Sequence, residues 1–543
     1  MNDNMIVCPE PLAAQAGQEI FAAGGNAADA AVAAAFAQGV TNPLLCGIGG
    51  TGLFLYHDGR AGRTTVLNCE VSIGSRPAPD HWQGEYGGRA ETIGRYILAS
   101  EANQVGHQSV MIPGFVRGCW TAFQRFGSGA LSWDDLLAPA IRLARDGFAV
   151  YPYIAPFWRV ESAGDTGVLR PGYPGLMTKL AATADAGRIY LKADGTPYAA
   201  GDWFVQADYA RTLARLAEAG GGDFYNGEIA RRIVADFDDH HGLFTAEDLR
   251  DYTVEEQEPL HATYRGYRLI TTPPSSPGCQ LIEMLKILEH FAVGDLGHNS
   301  ADYVDLFARI QRAGFADNAQ LKGTSSEAGR AIATHVMSDE RAAWWAERIR
   351  RGERVVVRDG ASVPGTTHVT AVDRIRNVVS FTHSIGSNAG AGVVTPGLGF
   401  LFNNFLGHYN PVPGQPDSIA PGKRLSGVLP AIVFRGETPY VALGAPGGSR
   451  IITAVAQAIA NVLDFDMGMD AAVRAPRFHS EEEQLLFVEP AFPDAVVAAL
   501  ATKWNEVQRG TYMSRVQAIR IADTGHLEAG ADPRGGAGVG RWP

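Results

Sequence analysis

GTTHVTAVD, residues 365–373, places two threonines at the start of a run with the alternation of a β-strand. A threonine hydroxyl inside a chain is a poor nucleophile. At a new N-terminus its own α-amine lies beside the hydroxyl and accepts its proton, because the pKa of an α-amino group is about 7.7–8. Cleavage of the Gly365–Thr366 bond would create such a group. Taken alone, however, these residues favour ordinary strand threonines.

A second informative segment, GAPGGSR (444–450), lies between a predicted strand and a predicted helix. Consecutive glycine amides at a helix N-terminus offer donors to an anion, or to the oxyanion of an acyl-transfer transition state. The segment lacks the Lys-Ser/Thr of a P-loop, so a nucleotide site is disfavoured. A phosphate cradle and a simple tight turn stay open at this point.

The remaining pattern predicts stacked sheets with helices packed outside them. Short β-rich runs are THVTAVD (367–373), NVVSFTHSI (377–385), GFLFNNF (399–405), AIVFR (431–435) and PYVALG (439–444). Helices are predicted at 10–39, 133–147, 208–218, 227–236, 279–291 and 449–463. No flexible linker separates 1–350 from 351–543, so we expect one intertwined globular unit.

The composition is that of a folded enzyme-sized chain. Of 543 residues, 46% are hydrophobic and 19% charged, which argues against disorder. The 46 basic and 58 acidic side chains give a net charge of −12, which disfavours a nucleic-acid partner. No run of about 20 apolar residues predicts a membrane helix, and no signal peptide is recognisable. Five scattered cysteines without a CxxC favour a reducing compartment, so we expect a cytoplasmic protein.

We expect neither a cofactor nor a metal. The glycine-rich run at 47–52 precedes a strand instead of opening a helix, so it fits a dinucleotide fingerprint poorly. Asp239-His240-His241 is the one run that suggests metal ligands, and we interpret it as a solvent-exposed turn.

Together the motifs resemble those of the γ-glutamyltransferase (γ-glutamyltranspeptidase) family of N-terminal-nucleophile hydrolases. The resemblance extends along nearly the whole chain, in the family's order. The matching stretches are GGNAADAAVAA (24–34), CGIGG (46–50), PAIRLARDGF (139–148), GGDFYNGEIA (221–230), FTAEDLRDY (244–252), TTPPSSPG (271–278), GTTHVTAVD (365–373), APGKRLS (420–426), GAPGGSRIIT (444–453), AVRAPRFH (472–479) and GADPR (530–534).

The resemblance implies an α/β fold, the four-layer αββα sandwich of N-terminal-nucleophile hydrolases. It also implies a single inactive chain that cuts itself between Gly365 and Thr366. Residues 1–365 would form the large fragment and residues 366–543 the small one, which stay together as a heterodimer. Thr366 would then attack a substrate amide carbonyl and carry the acyl group until water or an amine accepts it.

The resemblance assigns the other residues of the catalytic centre as well. Gly447 and Gly448 match the family's oxyanion hole. Ser384 stands where the family has a threonine that hydrogen-bonds the nucleophile, and it keeps that hydroxyl. We interpret His368, which follows the two threonines, as a packing residue.

The residues expected to recognise the acyl group depart from the family. Enzymes specific for γ-glutamyl substrates carry an asparagine where this chain has Gly386. They carry glutamine and aspartate shortly after two adjacent asparagines, which are Asn403 and Asn404 here. Ungapped counting from this pair gives Phe405 and His408 at those positions. The family's two adjacent serines correspond to Ser426 and Gly427 in this chain. Arg95 is the best match to the arginine that holds the substrate carboxylate.

A γ-glutamyl substrate is therefore disfavoured, because a buried ammonium without its carboxylate partner loses about 3–5 kcal/mol. Another acid, such as Asp417, is the alternative if the alignment slips. The short, proline-rich segment between His408 and Lys423 suggests that the family's lid loop is reduced.

We predict a self-processing amide hydrolase or acyltransferase for a non-standard small carboxylated acyl amide. Three alternatives stay open: a true γ-glutamyl hydrolase or transpeptidase on glutathione-like substrates, a homologue that cleaves a carbon–carbon bond, and a non-catalytic scaffold. The sequence leaves any higher oligomer open.

Overall fold

The computed structural model describes residues 3–89, 96–159, 174–321, 327–357, 365–425, 427–481, 485–511 and 514–542. The strands are β1 Asn4–Cys8, β2 Thr51–Asp58, β3 Arg63–Cys69, β4 Tyr86–Arg89, β5 Tyr96–Leu98, β6 Phe148–Ala149, β7 Trp203–Phe204, β8 Glu255–Gln257, β9 Leu260–Tyr264, β10 Tyr267–Thr271, β11 Thr366–Val372, β12 Val378–Ser384, β13 Ala431–Arg435, β14 Thr438–Gly444, β15 Phe478–His479, β16 Leu485–Val488, β17 Glu506–Arg509, β18 Gln517–Ile521, β19 Leu527–Ala531 and β20 Gly538–Trp542.

The α-helices are α1 Pro11–Ala22, α2 Ala27–Thr41, α3 Phe115–Phe126, α4 Trp133–Asp146, α5 Leu176–Leu180, α6 Ala184–Tyr190, α7 Ala207–Ala219, α8 Asp223–Asn226, α9 Glu228–Asp239, α10 Ala246–Arg250, α11 Gly278–Glu289, α12 Ala301–Leu321, α13 Glu327–Val336, α14 Asp339–Arg350, α15 Arg450–Leu463, α16 Met469–Arg474 and α17 Asp494–Ala501. In the described part of the chain, none of them combines the length and apolar character needed to cross a bilayer.

Two large antiparallel sheets form the centre of the molecule. The first has the strand order β20-β1-β11-β12-β2-β3-β8, and the second has the order β19-β18-β14-β13-β10-β9. In the first sheet β11 lies between β1 and β12, and Thr366 pairs with Ser384 in register. Both predicted strands that carry the TTH motif and its partner are therefore confirmed, and they are central rather than edge strands.

Three large apolar layers of the core give the predicted αββα sandwich. Met5, Leu55, Val372, Ile432 and Ile519 belong to the layer between the two sheets. A second layer lies between the first sheet and the N-terminal helices, which include α1, α2 and α4. A third lies between the second sheet and helices that include α11, α12 and α15.

The predicted single helix over 10–39 is wrong, because two helices occupy this stretch. Gly24 has φ +95°, a left-handed conformation that ends α1 at low cost. Asn26 then caps α2: its side chain accepts from the N–H groups of Ala28 and Asp29, and Asp29 accepts from the Asn26 N–H. Every residue of α2 is buried, and its many alanines permit close packing against the first sheet.

One predicted strand, GFLFNNF (399–405), is also wrong. Phe402 forms only an isolated bridge with Gly49. The Asn403 amide instead donates to the carbonyls of Gly49 and Met111, at 2.9 and 2.8 Å. Asparagine side chains compete with the β-ladder in this way. The other predicted strands and helices in these runs are confirmed, with ends shifted by up to three residues.

Candidate active site

Gly365, Thr366, Ser384 and Gly386 form what we call the nucleophile corner. Thr366 Oγ1 donates to Ser384 Oγ at 3.2 Å. The Ser384 hydroxyl donates to the carbonyl oxygen of Gly365 and accepts from the Gly386 N–H at 2.9 Å. Thr366 is 5% exposed and Ser384 2%. A continuous chain of hydroxyls thus connects the Thr366 oxygen to the carbonyl of the bond that precedes it.

Steric contacts require both glycines of this corner. A Cβ atom on Gly365 would overlap the carbonyl oxygen of Gly386. Gly386 has φ +98°, and a Cβ atom there would overlap the side-chain oxygen of Asn404. That oxygen accepts from the Ser387 N–H at 3.0 Å. A side chain at position 386, where the resemblance leads us to expect an asparagine, would therefore overlap Asn404.

Lys179 holds the loop that follows the corner, a role that sequence reasoning missed. Its buried ammonium donates to Ser387 Oγ and to the carbonyls of Asn388 and Gly390, the latter two at 2.7 and 2.8 Å. Ser387 Oγ also accepts from the Asn404 amide at 2.7 Å. No motif around Lys179 marks it, because its acceptors lie more than 200 residues away.

Thr367, whose side chain alternates with that of Thr366, contacts a buried acid. Thr367 Oγ1 donates to Glu10 Oε1 at 3.0 Å. Amides of Gln38 and Asn42 donate to the same carboxylate at 2.6 and 2.7 Å. Burial raises the pKa of the Glu10 carboxyl, and these hydrogen bonds oppose the rise. The second threonine of the motif thus anchors β11 to α2 and to the segment after β1.

His368 is built into the fold, as the packing interpretation predicts. Its Nε2 lies 2.9 Å from Thr370 Oγ1, whose own hydroxyl donates to the Gln517 carbonyl. Nε2 is therefore the protonated nitrogen, and Nδ1 accepts from Thr382 Oγ1 at 2.8 Å. Burial lowers the pKa of His368 to about 3. The ring fills the space against Gly444, where a Cβ atom would overlap it.

The Gly447–Gly448 turn follows β14 and leads into α15. Gly447 has φ +145° and Gly448 φ +64°. Both residues are buried, and no described residue accepts a hydrogen bond from either N–H group. Buried N–H groups are rarely left without a partner. Gly444, three residues earlier, abuts His368 of β11, so this turn lies at the end of β14 that approaches the strand of Thr366.

The acyl-side segment, residues 403–427, carries the predicted recognition residues. Phe405 is 4% exposed and belongs to an apolar cluster with Val71, Trp82 and Leu98. Its ring stacks on His408, with centroids 5.5 Å apart. Phe405 is therefore packed in a core.

The other predicted recognition residues fall differently. Gly427 is exposed, whereas Ser426 and Arg95 lie outside the described residues. Asp417, the alternative acid, is buried and accepts from Tyr96 Oη at 2.5 Å.

The Asp239-His240-His241 run is exposed at the end of α9, as predicted. His240 nevertheless stacks on His107, at 4.4 Å between ring centroids and 7° between planes. The Asp236 carboxylate lies 3.2 Å from a ring nitrogen of each imidazole, which places three possible metal ligands together. An imidazole binds a metal in its ring plane, and two parallel planes share no such position. The ring of His240 would have to turn before one ion could bind both.

Comparisons with known proteins agree with this architecture. The family model gamma-glutamyltranspeptidase matches residues 13–542. The chain is 36% identical to the acylase ACY 1 proenzyme of Pseudomonas sp. (strain SE83), over 93% of this chain and 87% of that protein. It is 30% identical to the glutathione hydrolase proenzyme of Escherichia coli (strain K12), over 98% and 90%.

A solved structure, the cephalosporin acylase from Bacillus halodurans, has the same fold. Its TM-score is 0.86 and its identity 28%, covering all of this chain and 96% of that chain. The curated relatives are proenzymes, so processing into subunits is a property of this group. The chain belongs to the gamma-glutamyltranspeptidase family of N-terminal-nucleophile amidohydrolases and acyltransferases.

Proposed function

We propose that the chain cuts itself between Gly365 and Thr366, and that Thr366 is then the catalytic nucleophile. Residues 1–365 and 366–543 would be the two fragments. The observation that carries this proposal is the hydroxyl chain from Thr366 through Ser384 to the Gly365 carbonyl. An ordinary strand has no need for a hydroxyl relay onto its own preceding carbonyl.

The relay supplies each proton that self-cleavage needs. Thr366 Oγ1 attacks the Gly365 carbonyl carbon, its proton passes to Ser384 Oγ, and the Ser384 proton passes to the carbonyl oxygen. Collapse breaks the C–N bond, returns the proton to the Thr366 nitrogen and leaves an ester on Thr366 Oγ1. Water then hydrolyses the ester, giving a Gly365 carboxylate and a free Thr366 α-amine.

Substrate turnover uses the same corner with one added group. The freed α-amine accepts the Thr366 hydroxyl proton while Oγ1 attacks the substrate amide carbonyl. The open N–H groups of Gly447 and Gly448 would stabilise the oxyanion, at a typical gain of about 3 kcal/mol for one such donor. The leaving amine takes the proton, and water or another amine then removes the acyl group from Thr366.

The acyl group that we propose is a small carboxylated one other than γ-glutamyl. Asn404 occupies the space of the recognition asparagine at Gly386, and Phe405 is packed in a core where the family has glutamine. Acylases at 36% identity and in the matched structure support the same choice. A γ-glutamyl hydrolase is the second candidate, favoured by glutathione hydrolases at 30–34% identity.

Intact mass and N-terminal sequencing of the purified protein test the nucleophile. We expect two fragments, the smaller beginning at Thr366, and no cleavage in Thr366→Ala. The matched variant Thr366→Ser keeps the hydroxyl and should still cut. Cleavage elsewhere, or an uncut wild-type chain after long incubation, would refute the proposal. Comparing glutaryl- with γ-glutamyl-4-nitroanilide then separates the two acyl classes.

A further inference from the structure

His107, Asp236 and His240 form a cluster of three metal-ligand side chains outside the nucleophile corner. Asp236 Oδ2 lies 3.2 Å from His107 Nε2, and Asp236 Oδ1 lies 3.2 Å from His240 Nδ1. The ligand atoms of all three side chains lie within 4.8 Å of one another. Because zinc bonds of about 2.0–2.1 Å in a tetrahedron place the ligand atoms about 3.3 Å apart, both measured separations fit ligands of one ion.

The fold brings these ligands together from two separate parts of the chain. Asp236 and His240 are four residues apart at the end of α9, so their side chains share one helix face, one turn apart. His107 begins a short helical turn, His107–Ser109, and lies 129 residues before Asp236. The sequence offered only the run Asp239-His240-His241, and the two buried members of the cluster lie outside it.

Two of the three ligands are already held in place. Thr395 Oγ1 donates to Asp236 Oδ2 at 2.6 Å, which is the kind of outer hydrogen bond that orients metal-binding carboxylates. The ring of His107 packs edge-on against Phe237, with centroids 5.0 Å apart and planes at 78°. Both ligands are buried, so these contacts fix the positions of the Asp236 oxygens and of His107 Nε2.

His240 is the ligand that has to move. Its side chain is 56% exposed, its ring stacks on His107, and its Nδ1 lies 2.8 Å from the Asp236 carbonyl oxygen. Since a metal binds in the plane of an imidazole ring, the ring must leave this stack. An exposed side chain at a helix end does so by changing rotamer. A ring nitrogen of His240 then provides the third ligand, and water takes the fourth position.

We infer that His107, Asp236 and His240 bind one divalent transition-metal ion of the zinc class. Two imidazoles and one carboxylate suit zinc, whereas magnesium and calcium take oxygen ligands. The inference departs from the expectation, drawn from the sequence, that the chain takes no metal. It does not depend on the proposed function, because the three ligands lie outside the nucleophile corner and binding can be measured without turnover.

The ion would fasten a segment that supports the corner. The N–H of Gly106, next to His107, donates to the Ala391 carbonyl at 2.9 Å. The Gln104 carbonyl accepts from the Asn404 amide at 3.1 Å, and the Asn404 side chain lies against Gly386. Zinc would tie this segment to α9. It would also stabilise the folded chain, because the unfolded chain does not hold the three ligands together.

Calorimetric titration of the untagged, purified protein with zinc chloride tests the site. We expect one ion per chain, and magnesium chloride should not compete for it. His240→Gln and His107→Gln should each weaken binding by at least about 10-fold, the smallest typical cost of losing even an outer hydrogen-bond partner. His241→Asn is the matched control, because it removes the adjacent exposed imidazole and asparagine tolerates the φ of +57° there. It should keep the wild-type affinity.

The melting temperature with and without zinc chloride gives a second readout. Zinc should raise the Tm of the wild type and of His241→Asn, and it should leave the Tm of His240→Gln unchanged. His240→Gln alters an exposed side chain and keeps the buried pair, so the test stands even if His107→Gln does not fold. An affinity that His240→Gln leaves at the wild-type value, or a wild-type chain that binds no zinc, would overturn the site.

Discussion

The nucleophile corner is fixed by backbone and by short hydroxyl side chains. Gly365 and Gly386 leave no room for a Cβ atom, and Ser384 uses its one proton and its lone pairs on three neighbours. The side chains expected to recognise the acyl group are held differently. Phe405 fills an apolar cluster, and Asp417 binds Tyr96 through a side chain alone.

This difference teaches which part of the molecule is free to change. The two glycines of the corner tolerate almost no substitution, since a Cβ atom at Gly365 would overlap the Gly386 carbonyl and one at Gly386 would overlap the Asn404 side chain. Side chains of the acyl-side segment can change while backbone hydrogen bonds, such as that from the Ile73 N–H to the Lys423 carbonyl at 3.0 Å, keep its main chain in place. Reaction and substrate can therefore diverge separately in one fold.

The largest expected effect breaks the corner itself. Ser384→Ala removes the group that receives the Thr366 proton and donates to the Gly365 carbonyl. Because loss of one donor to a developing oxyanion costs about 10²- to 10³-fold in rate, we expect self-cleavage to slow by at least that factor. A time course of intact mass on freshly purified protein measures it.

Ser384→Thr is the matched control, because it keeps a hydroxyl at this position. It should cut at a rate within about 10-fold of the wild type. Ser384→Ala protein that cuts at the wild-type rate would show that the hydroxyl chain is a static hydrogen bond and not a relay.

Thr366 and Ser384 could be predicted as partners through the family resemblance, whose motifs are local. A glycine before two threonines, a strand period and a glycine pair before a helix each extend over fewer than ten residues. The order of these motifs also predicted the sandwich. The break in the N-terminal helix was readable too, since Gly24, Gly25 and the capping pair Asn26–Asp29 all mark it.

Long-range contacts explain what could not be predicted. Lys179 binds a loop more than 200 residues away, and Glu10 binds Thr367 across 357 residues. Neither contact has a local pattern. GFLFNNF misled for a related reason: its asparagines hydrogen-bond to distant carbonyls, and strand propensity does not register that competition.

Acid sensitivity gives the next largest expected effect and concerns two buried histidines on β11 and β12, the strands that carry the corner. Burial lowers the pKa of His368 and His383 to about 3 each. The unfolded chain binds these protons near pH 6.5, whereas the folded chain does not, so stability falls as the pH drops from about 6.5 toward 3. At pH 5 the loss is about 2 kcal/mol for each histidine.

Melting temperatures of the uncut Thr366→Ala chain at pH 7 and pH 5 measure this loss. In the wild type the side-chain oxygen of Gln38 lies 2.9 Å from His383 Nε2. His383→Gln keeps a donor for that oxygen and removes the imidazole that binds a proton. We expect a smaller drop in Tm between the two pH values in that variant than in its parent. His290→Gln, on an exposed residue, should leave the drop unchanged. An identical drop in all three chains would locate the acid sensitivity elsewhere.

The smallest expected effect concerns the acyl-side segment. His408→Asp introduces the acid that the family resemblance leads us to expect at this position, and His408→Asn is the uncharged control. Because Asn404 still fills the space at Gly386 and Phe405 still lacks an amide, one carboxylate should raise kcat/KM on γ-glutamyl-4-nitroanilide by less than about 10-fold. Self-cleavage should not change, since the substitution leaves the corner's backbone untouched. A gain of more than about 100-fold would mean that one side chain sets acyl specificity, and that the steric block at Gly386 does not.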